Sequence, residues 1–301
     1  MLVHPARWRG SAIGLAVVLL SLSCAALLAG RIAQEPVGFE SFVAGVLVGL
    51  LALLGLLFAY WTYSCWSLSY GLDRNSVSVR WGGNLLQIPL ASIQALIPGD
   101  SAAEPQLRSG IRWPGYWIGR GTVPGFVELD EVHLFSTHTS YQQLLYVLTP
   151  LRVYGISVPD AAEFAREIGL RRRMGPTESV QEGVRRASFW EAPVWRDPGV
   201  MVPMLLALAA NLGLFGFLTW SFVTAPDTVA QHLTPLGVVD QTGPKEGLLV
   251  LPKLGLLSLL VNSMLGFILH DRERFASYLV AGMSLVVQVI LWGGTIYLLS
   301  N

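Results

Sequence analysis

The sequence predicts an α-helical membrane protein in which about five spans carry one inserted all-β domain closed by a C-terminal helix. Two observations carry that prediction. Of 301 residues, 52% are hydrophobic and only 13% charged, about half the charge usual for a soluble globular chain. The mean hydropathy of +0.52 agrees. In addition, the apolar residues collect in runs of roughly 20, the length a bilayer requires, while most of the charge lies between Leu72 and Asp197. Two solvents are implied, lipid and water.

The first run, Ser11 to Ala29, follows Arg7 and Arg9. It fits a span better than a cleavable signal, whose apolar core is shorter and ends at a small-residue cleavage site. Cys24 does not fit a lipidation site, because Ser21 stands where an aliphatic residue is usual and apolar sequence continues beyond the cysteine. Phe42 to Tyr63 is the second span, ending among Tyr60, Trp61, Tyr63 and Trp66, side chains suited to headgroup level. Met201 to Val223 is the third. Gly247 to Leu269 and Ala276 to Leu299 are the last two, joined by His270, Asp271, Arg272, Glu273 and Arg274 into an antiparallel hairpin.

Arginine placement predicts sidedness, since basic residues near span ends are retained in the cytoplasm. Arg7 and Arg9 place the N terminus inside. Five alternating crossings then put Arg31 outside, the insert inside, 224–246 outside, Arg272 and Arg274 inside, and Asn301 outside. This is the pattern of a multi-pass protein of a bacterial inner membrane. The chain divides into a two-helix hairpin over 1–66, a cytoplasmic domain over 67–174, a basic and aromatic linker over 175–198, and a three-helix region over 199–301.

Within the insert the period changes. Val77, Val79 and Trp81 alternate with Ser76, Ser78 and Arg80, as in a half-buried strand. Gly82, Gly83 and Asn84 supply a hairpin turn, and Leu85 to Leu90 the return strand. Val127 to Phe135, Leu144 to Leu148 and Leu151 to Val158 continue what reads as an antiparallel meander. Asp160 followed by Glu163 marks the start of a closing helix, whose apolar face is Phe164, Ala165 and Ile168.

About seven short strands finished by one helix resemble a pleckstrin-homology-like (PH-like) barrel. The order of Tyr70, Leu72, the Gly82 and Gly83 turn, Ile88, Pro89, Ile93, the Gly115 to Gly125 segment and "ISVPDAAEFAREI" is similar to the bacterial PH-like family found beside membrane spans. Separately, Pro226, His232, Gly237, Asp240, Lys245 and "LPKLG" resemble a short membrane module of Sdp-type immunity and signalling proteins. Ala230 and Leu233 depart from that module's usual proline and aromatic residue.

Candidate polar sites follow. His232 beside Asp240 is the sharpest pair, an imidazole and a carboxylate able in principle to hold a metal or sense pH. A single histidine favours a structural cap, with Gly237 permitting a turn and Lys245 nearby. Lys253 and Asn262 lie within the fourth span, where polar residues are functional suspects; Lys253 is near enough to the outer end to reach the headgroups, and Asn262 can bond a neighbouring helix. His133 and His138 point to opposite faces of a strand and make a poor metal pair. Gly115, Gly119, Gly121 and Gly125 lack dinucleotide spacing and fit a bend at a barrel corner. Arg171, Arg172, Arg173, Arg185 and Arg186, with Trp190 and Trp195, form a basic and aromatic stretch able to meet anionic headgroups, although sidedness alone predicts arginines there.

No nucleophile elbow or phosphate cradle appears, so no enzyme, metal or cofactor is expected, and zero net charge argues against nucleic acid. Cys24 and Cys65 both lie in apolar runs and form no disulfide framework. The expected function is a membrane-anchored, non-enzymatic interaction, scaffolding or sensing module whose partners are membrane lipid and other membrane or cytoplasmic proteins. The alternative is a small transducer or transporter component coupling the outer His232 loop to the inner domain. It gains if Lys253 and Asn262 face a cavity.

Overall fold

The computed structural model describes residues 1–124, 131–138, 140–186, 192–233 and 239–300, with backbone alone at 185–186, 231–233 and 239–240. The chain forms two compact units, Met1–Ser23 with Leu51–Phe189 and Cys24–Leu50 with Trp190–Asn301.

The first unit begins with a two-residue strand, β1 (Leu2–Val3), then takes in the N-terminal part of α1 (Trp8–Ile32) and the C-terminal part of α2 (Phe39–Ser67). These helices approach where side chains are smallest. A Cβ on Gly14 would lie 2.1 Å from Thr62 Oγ1, and one on Gly55 would lie 2.7 Å from Leu22. Such close backbones give membrane helices their van der Waals contact.

Directly after α2 comes the β domain: β2 (Ser69–Leu72), β3 (Ser76–Trp81), β4 (Asn84–Pro89), β5 (Ala95–Pro98), β6 (Gln106–Trp113), β7 (Tyr116–Thr122), β8 (Val132–Ser136), β9 (Leu145–Leu148), β10 (Val153–Ile156), α3 (Ala161–Met174) and β11 (Gly183–Arg186). The strands form two sheets, ordered β1-β2-β3-β4-β11 and β5-β9-β10-β8-β7-β6. The predicted turn joins β3 to β4 through Gly82 and Gly83, both at positive φ, as a two-residue hairpin loop between twisted strands demands. Residues of both sheets pack together as the main core, Tyr70, Val79, Trp81 and Ile88 from one and Phe135, Val147, Tyr154 and Ile156 from the other. Phe164 and Ile168 of α3 close it, each contributing about 1.5–3 kcal/mol by burial. Asp160 caps α3, accepting from the Glu163 amide at 2.8 Å.

Three features differ from the predicted meander. β10 lies between β8 and β9, pairing parallel with β8 and antiparallel with β9, so the chain around Ser140 is a crossing rather than a hairpin turn. A second core, with Trp117, Leu134, Tyr146 and Val153, covers the opposite face of that sheet. Strands buried on both faces lose period-2 alternation, which is why their order was hidden. Residues 127–130 of the predicted Val127 to Phe135 strand lie outside the described residues. Finally, the start of the predicted linker belongs to the domain. Asn75 Oδ1 accepts from Thr177 N at 2.8 Å, Glu182 accepts from Thr149 at 2.9 Å and Tyr154 at 2.8 Å, and β11 pairs with β4. An unpaired edge at β4 would expose backbone donors and acceptors, and β11 satisfies them.

The second unit contains α4 (Pro198–Ser221), a hairpin of β12 (Thr228–Leu233) and β13 (Val239–Pro244), α5 (Val250–His270) and α6 (Arg274–Ser300). α1, α2, α4, α6 and the segment Lys245–His270 are each long and apolar enough to cross a membrane. The chain is thus an α-helical membrane protein with an inserted PH-like β domain.

Candidate functional site

The tip of the β6–β7 hairpin sits against the neighbouring ends of α1 and α2. Gly115, at φ +85, turns the hairpin, and a Cβ there would lie 2.5 Å from Gly10 N. A Cβ on Gly10 would in turn lie 2.1 Å from Gly115 O. No side chain fits at either position. Around this contact, Trp113 Nε1 donates to Gly10 O at 3.1 Å, Tyr116 donates to Ser64 Oγ at 3.0 Å, and Cys65 Sγ lies 3.6 Å from Gly115 O. Trp113 stacks on Tyr116 at 4.2 Å and packs against Phe58 at 5.6 Å. From the other side, Ser67 Oγ accepts from the Gly82 amide at 2.7 Å. Arg7 lies over the Trp66 ring at 4.7 Å and donates to the Trp66 carbonyl. The domain is therefore fastened to its two helices at a hairpin tip and a turn, while Arg7 ties the start of α1 to the end of α2. Gly119 and Gly121 serve the same hairpin, since a Cβ on either would lie within 2.3 Å of the backbone of β6. Close strand approach accounts for these glycines, and Gly125 lies outside the described residues.

A second polar group lies along one face of the six-stranded sheet, where Arg120, His133 and Tyr154 are register partners on β7, β8 and β10. Glu131 Oε2 is 3.3 Å from His133 Nε2 and 4.0 Å from Arg152, and its Oε1 is 3.9 Å from Arg120. Burial pushes the His133 imidazole down, only partly offset by Glu131. Burial also opposes charge on Glu131, but the His133 hydrogen bond and the two arginines outweigh it and hold the carboxyl below its ordinary range. Opposite charges thus consume one another. Tyr70 is enclosed, donating to Phe135 O at 2.7 Å and accepting from Ser157 N at 3.1 Å, and burial raises its hydroxyl far above the usual value. Among the described residues no three His, Cys, Asp or Glu side chains are placed to hold a metal.

The residues singled out from sequence are not gathered into one place. His232 and Asp240 lie on β12 and β13, where His232 pairs with Gln241 in backbone register. Their side chains and Gly237 lie outside the described residues, as do Trp190 and the side chains of Arg185 and Arg186. Lys245 has a clear role: Nζ donates to Phe222 O at 3.0 Å, capping the end of α4, and lies 3.2 Å from Asp227 Oδ1. Lys253 is exposed on α5 and Asn262 half-buried. Arg171 pairs with Glu167 one turn back, while Arg172 and Arg173 are exposed in the last turn of α3. That turn adjoins the β2–β3 loop, where Arg74 donates to Met174 O and Gly175 O at 3.2 Å, a full strand from the Gly82 turn that meets α2. Trp195 packs near Phe267 at 6.1 Å.

Sequence reasoning missed two groups in the second unit. Asn211 Nδ2 on α4 donates to Pro252 O at 3.0 Å and to Gln288 Oε1 at 3.1 Å, and Gln288 donates to Gly255 O at 3.1 Å. The proline and glycine of α5 leave room and a carbonyl for this bond. Both residues stood out as polar within apolar runs, the signal that flagged Asn262, and both are almost completely buried. The second group is Asp197, which caps α4 through Gly199 N at 2.9 Å, accepts from Tyr278 at 2.8 Å and lies 3.7 Å from the buried His270. The Tyr278 hydrogen bond, with the Gly199 amide and the charges of His270 and Arg274, holds this carboxyl below the usual value against a desolvation effect that raises it.

No curated protein and no solved structure matches the chain. Residues 68–172, from the end of α2 to the last turns of α3, match the bacterial PH domain family.

Proposed function

We propose that the protein is a membrane-anchored, non-enzymatic interaction module that presents a PH-like domain in a fixed pose on its first helical hairpin. The carrying observation is the close contact of Gly115 with Gly10, reinforced by the Trp113 and Tyr116 hydrogen bonds. A domain held at both a hairpin tip and a turn offers a constant outer surface to a partner, with the ordering entropy already spent on folding. The PH domain match is in keeping with a binding role, although such folds host many functions.

On this reading the domain faces the cytoplasm of a bacterial inner membrane, as the arginine placement requires, and its partners are membrane or cytoplasmic proteins together with lipid. β1 and β11 form the edges of the five-stranded sheet, and the contact surfaces on this reading are those strand edges together with the exposed helix and loop surfaces, among them Arg172 and Arg173. The exposed position of Lys253 favours an end-on reach to the headgroups over a transport path. The resemblance of the C-terminal segment to the Sdp-type module would make the three-helix unit the signalling partner of the anchored domain.

Cross-linking in native membranes tests this. Gly115→Val should undock the hairpin and remove the partners captured by the wild type, while Arg172→Glu with Arg173→Glu should lose them without undocking. A partner set unchanged by both would refute the module.

A further inference from the structure

We propose that the second unit holds a binding site for an uncharged amphiphile, in a crevice where the C-terminal ends of α4 and α6 meet the β12–β13 hairpin. The crevice measures about 500 Å³, within the roughly 300–1,000 Å³ range of small-molecule sites. Its floor is apolar, formed by Phe217, Val229, Ala230, Leu298 and Leu299. Ser221, Thr224, Thr228 and Thr242 bring four hydroxyls to it.

The bonding of those hydroxyls defines what fits. Ser221 donates to Phe217 O at 2.8 Å and Thr224 to Ser221 O at 3.3 Å. Both donors are spent on the helix end, leaving oxygen lone pairs as acceptors. Thr228 and Thr242 make no bond to a described residue, so each can donate and accept. Among the described residues no charged side chain lines the crevice. Lys245 and Asp227, described charges that flank the hairpin, are 3.2 Å apart and pair with each other, and Lys245 also caps α4. A ligand with a full charge would be desolvated there without a counter-charge. One with an apolar tail and a hydroxylated or amide head would place each part against its match. A monoacylglycerol has that chemistry.

The test uses the full chain in phosphatidylcholine nanodiscs and a monolauroylglycerol analogue carrying a diazirine near the chain end. Labelling should saturate and map to peptides covering 217–230 and 298–299. Unlabelled monolauroylglycerol should compete, with dodecanoate and dodecyltrimethylammonium weaker by about tenfold, the scale of one or two hydrogen bonds and an unmatched charge. Thr228→Trp, at an exposed rim position, should cut labelling by a similar factor. The near-isosteric pair Thr228→Val with Thr242→Val should erase the preference for the neutral competitor, and decides the matter if the tryptophan variant unfolds at lower temperature. Unsaturable labelling spread over all the apolar helices, equal competition by the charged analogues, or a preference that survives loss of both hydroxyls would overturn the proposal.

Discussion

Asn211 and Gln288 show how a single polar pair fixes a helix bundle in lipid. With no water to receive an unpaired amide, each side chain finds its bond in a neighbouring helix. Replacing Asn211 by Leu leaves the Gln288 carbonyl oxygen without its donor, and we expect a loss of about 0.6–1.7 kcal/mol, the span measured for such bonds in membrane bundles. Gln288→Leu should cost a similar amount, and the double variant less than the sum of the two, read as a double-mutant cycle on unfolding in mixed micelles. Additive losses would show that the two side chains act separately. In the β domain, burial holds His133 and His138 below the ordinary histidine value. The unfolded chain then takes up protons that the folded domain refuses, so stability is full above about pH 6.5 and drains as pH falls through the depressed values. Glu131 adds a further loss only in the more acidic carboxylate range. Thermal unfolding should show a drop that sets in as pH falls below about 6.5 and that His133→Gln with His138→Asn flattens; an unchanged drop would assign it elsewhere.

At the scale of elements, the β6–β7 hairpin is the piece whose loss should matter most. Gly115→Val forces a β-branched side chain into φ +85 and onto Gly10, combining a conformational cost of about 1–3 kcal/mol with a backbone clash. Limited proteolysis of membranes should then cut at 106–122 while the α3 end of the domain persists. By contrast Asp160→Ala removes one capping bond and should cost about 1 kcal/mol, with no change in that cleavage pattern. The two elements also differ in how far sequence reveals them. α3 is legible because a cap, a capping glutamate and the buried Phe164 and Ile168 sit at helical spacing, all between Asp160 and Ile168. The hairpin is not: what requires Gly115 is Gly10, about a hundred residues away, and what requires Gly119 and Gly121 is the close backbone of β6. β11 was hidden for a related reason, being four residues with no alternation of their own that pair because β4 offers an edge. Asn211 and Gln288 were visible as polar letters in apolar runs, but only the packing of three helices shows that they meet.

For the whole molecule, the five helices apolar enough to span and the arginine-bearing middle stand or fall together, because five crossings, an odd number, would put the two termini on opposite sides. If the domain is cytoplasmic, the end of α6 emerges on the opposite side, and with it the hairpin and the hydroxyl-lined crevice. Cys65 is fully buried and Cys24 lies on α1 within its apolar run, so neither should react with a charged thiol reagent and both can be replaced by Ser or Ala as background. Single cysteines at exposed positions then report directly: Ser179 and Arg172 for the domain, Thr224 and Ser300 for the other end. In intact cells an impermeant maleimide should label Thr224→Cys and Ser300→Cys and leave Ser179→Cys and Arg172→Cys unlabelled until the membrane is opened. The reverse pattern would invert the protein. Labelling of all four in sealed cells would mean that one helix does not cross, and would return the crevice and the domain to the same compartment, where a partner could touch both.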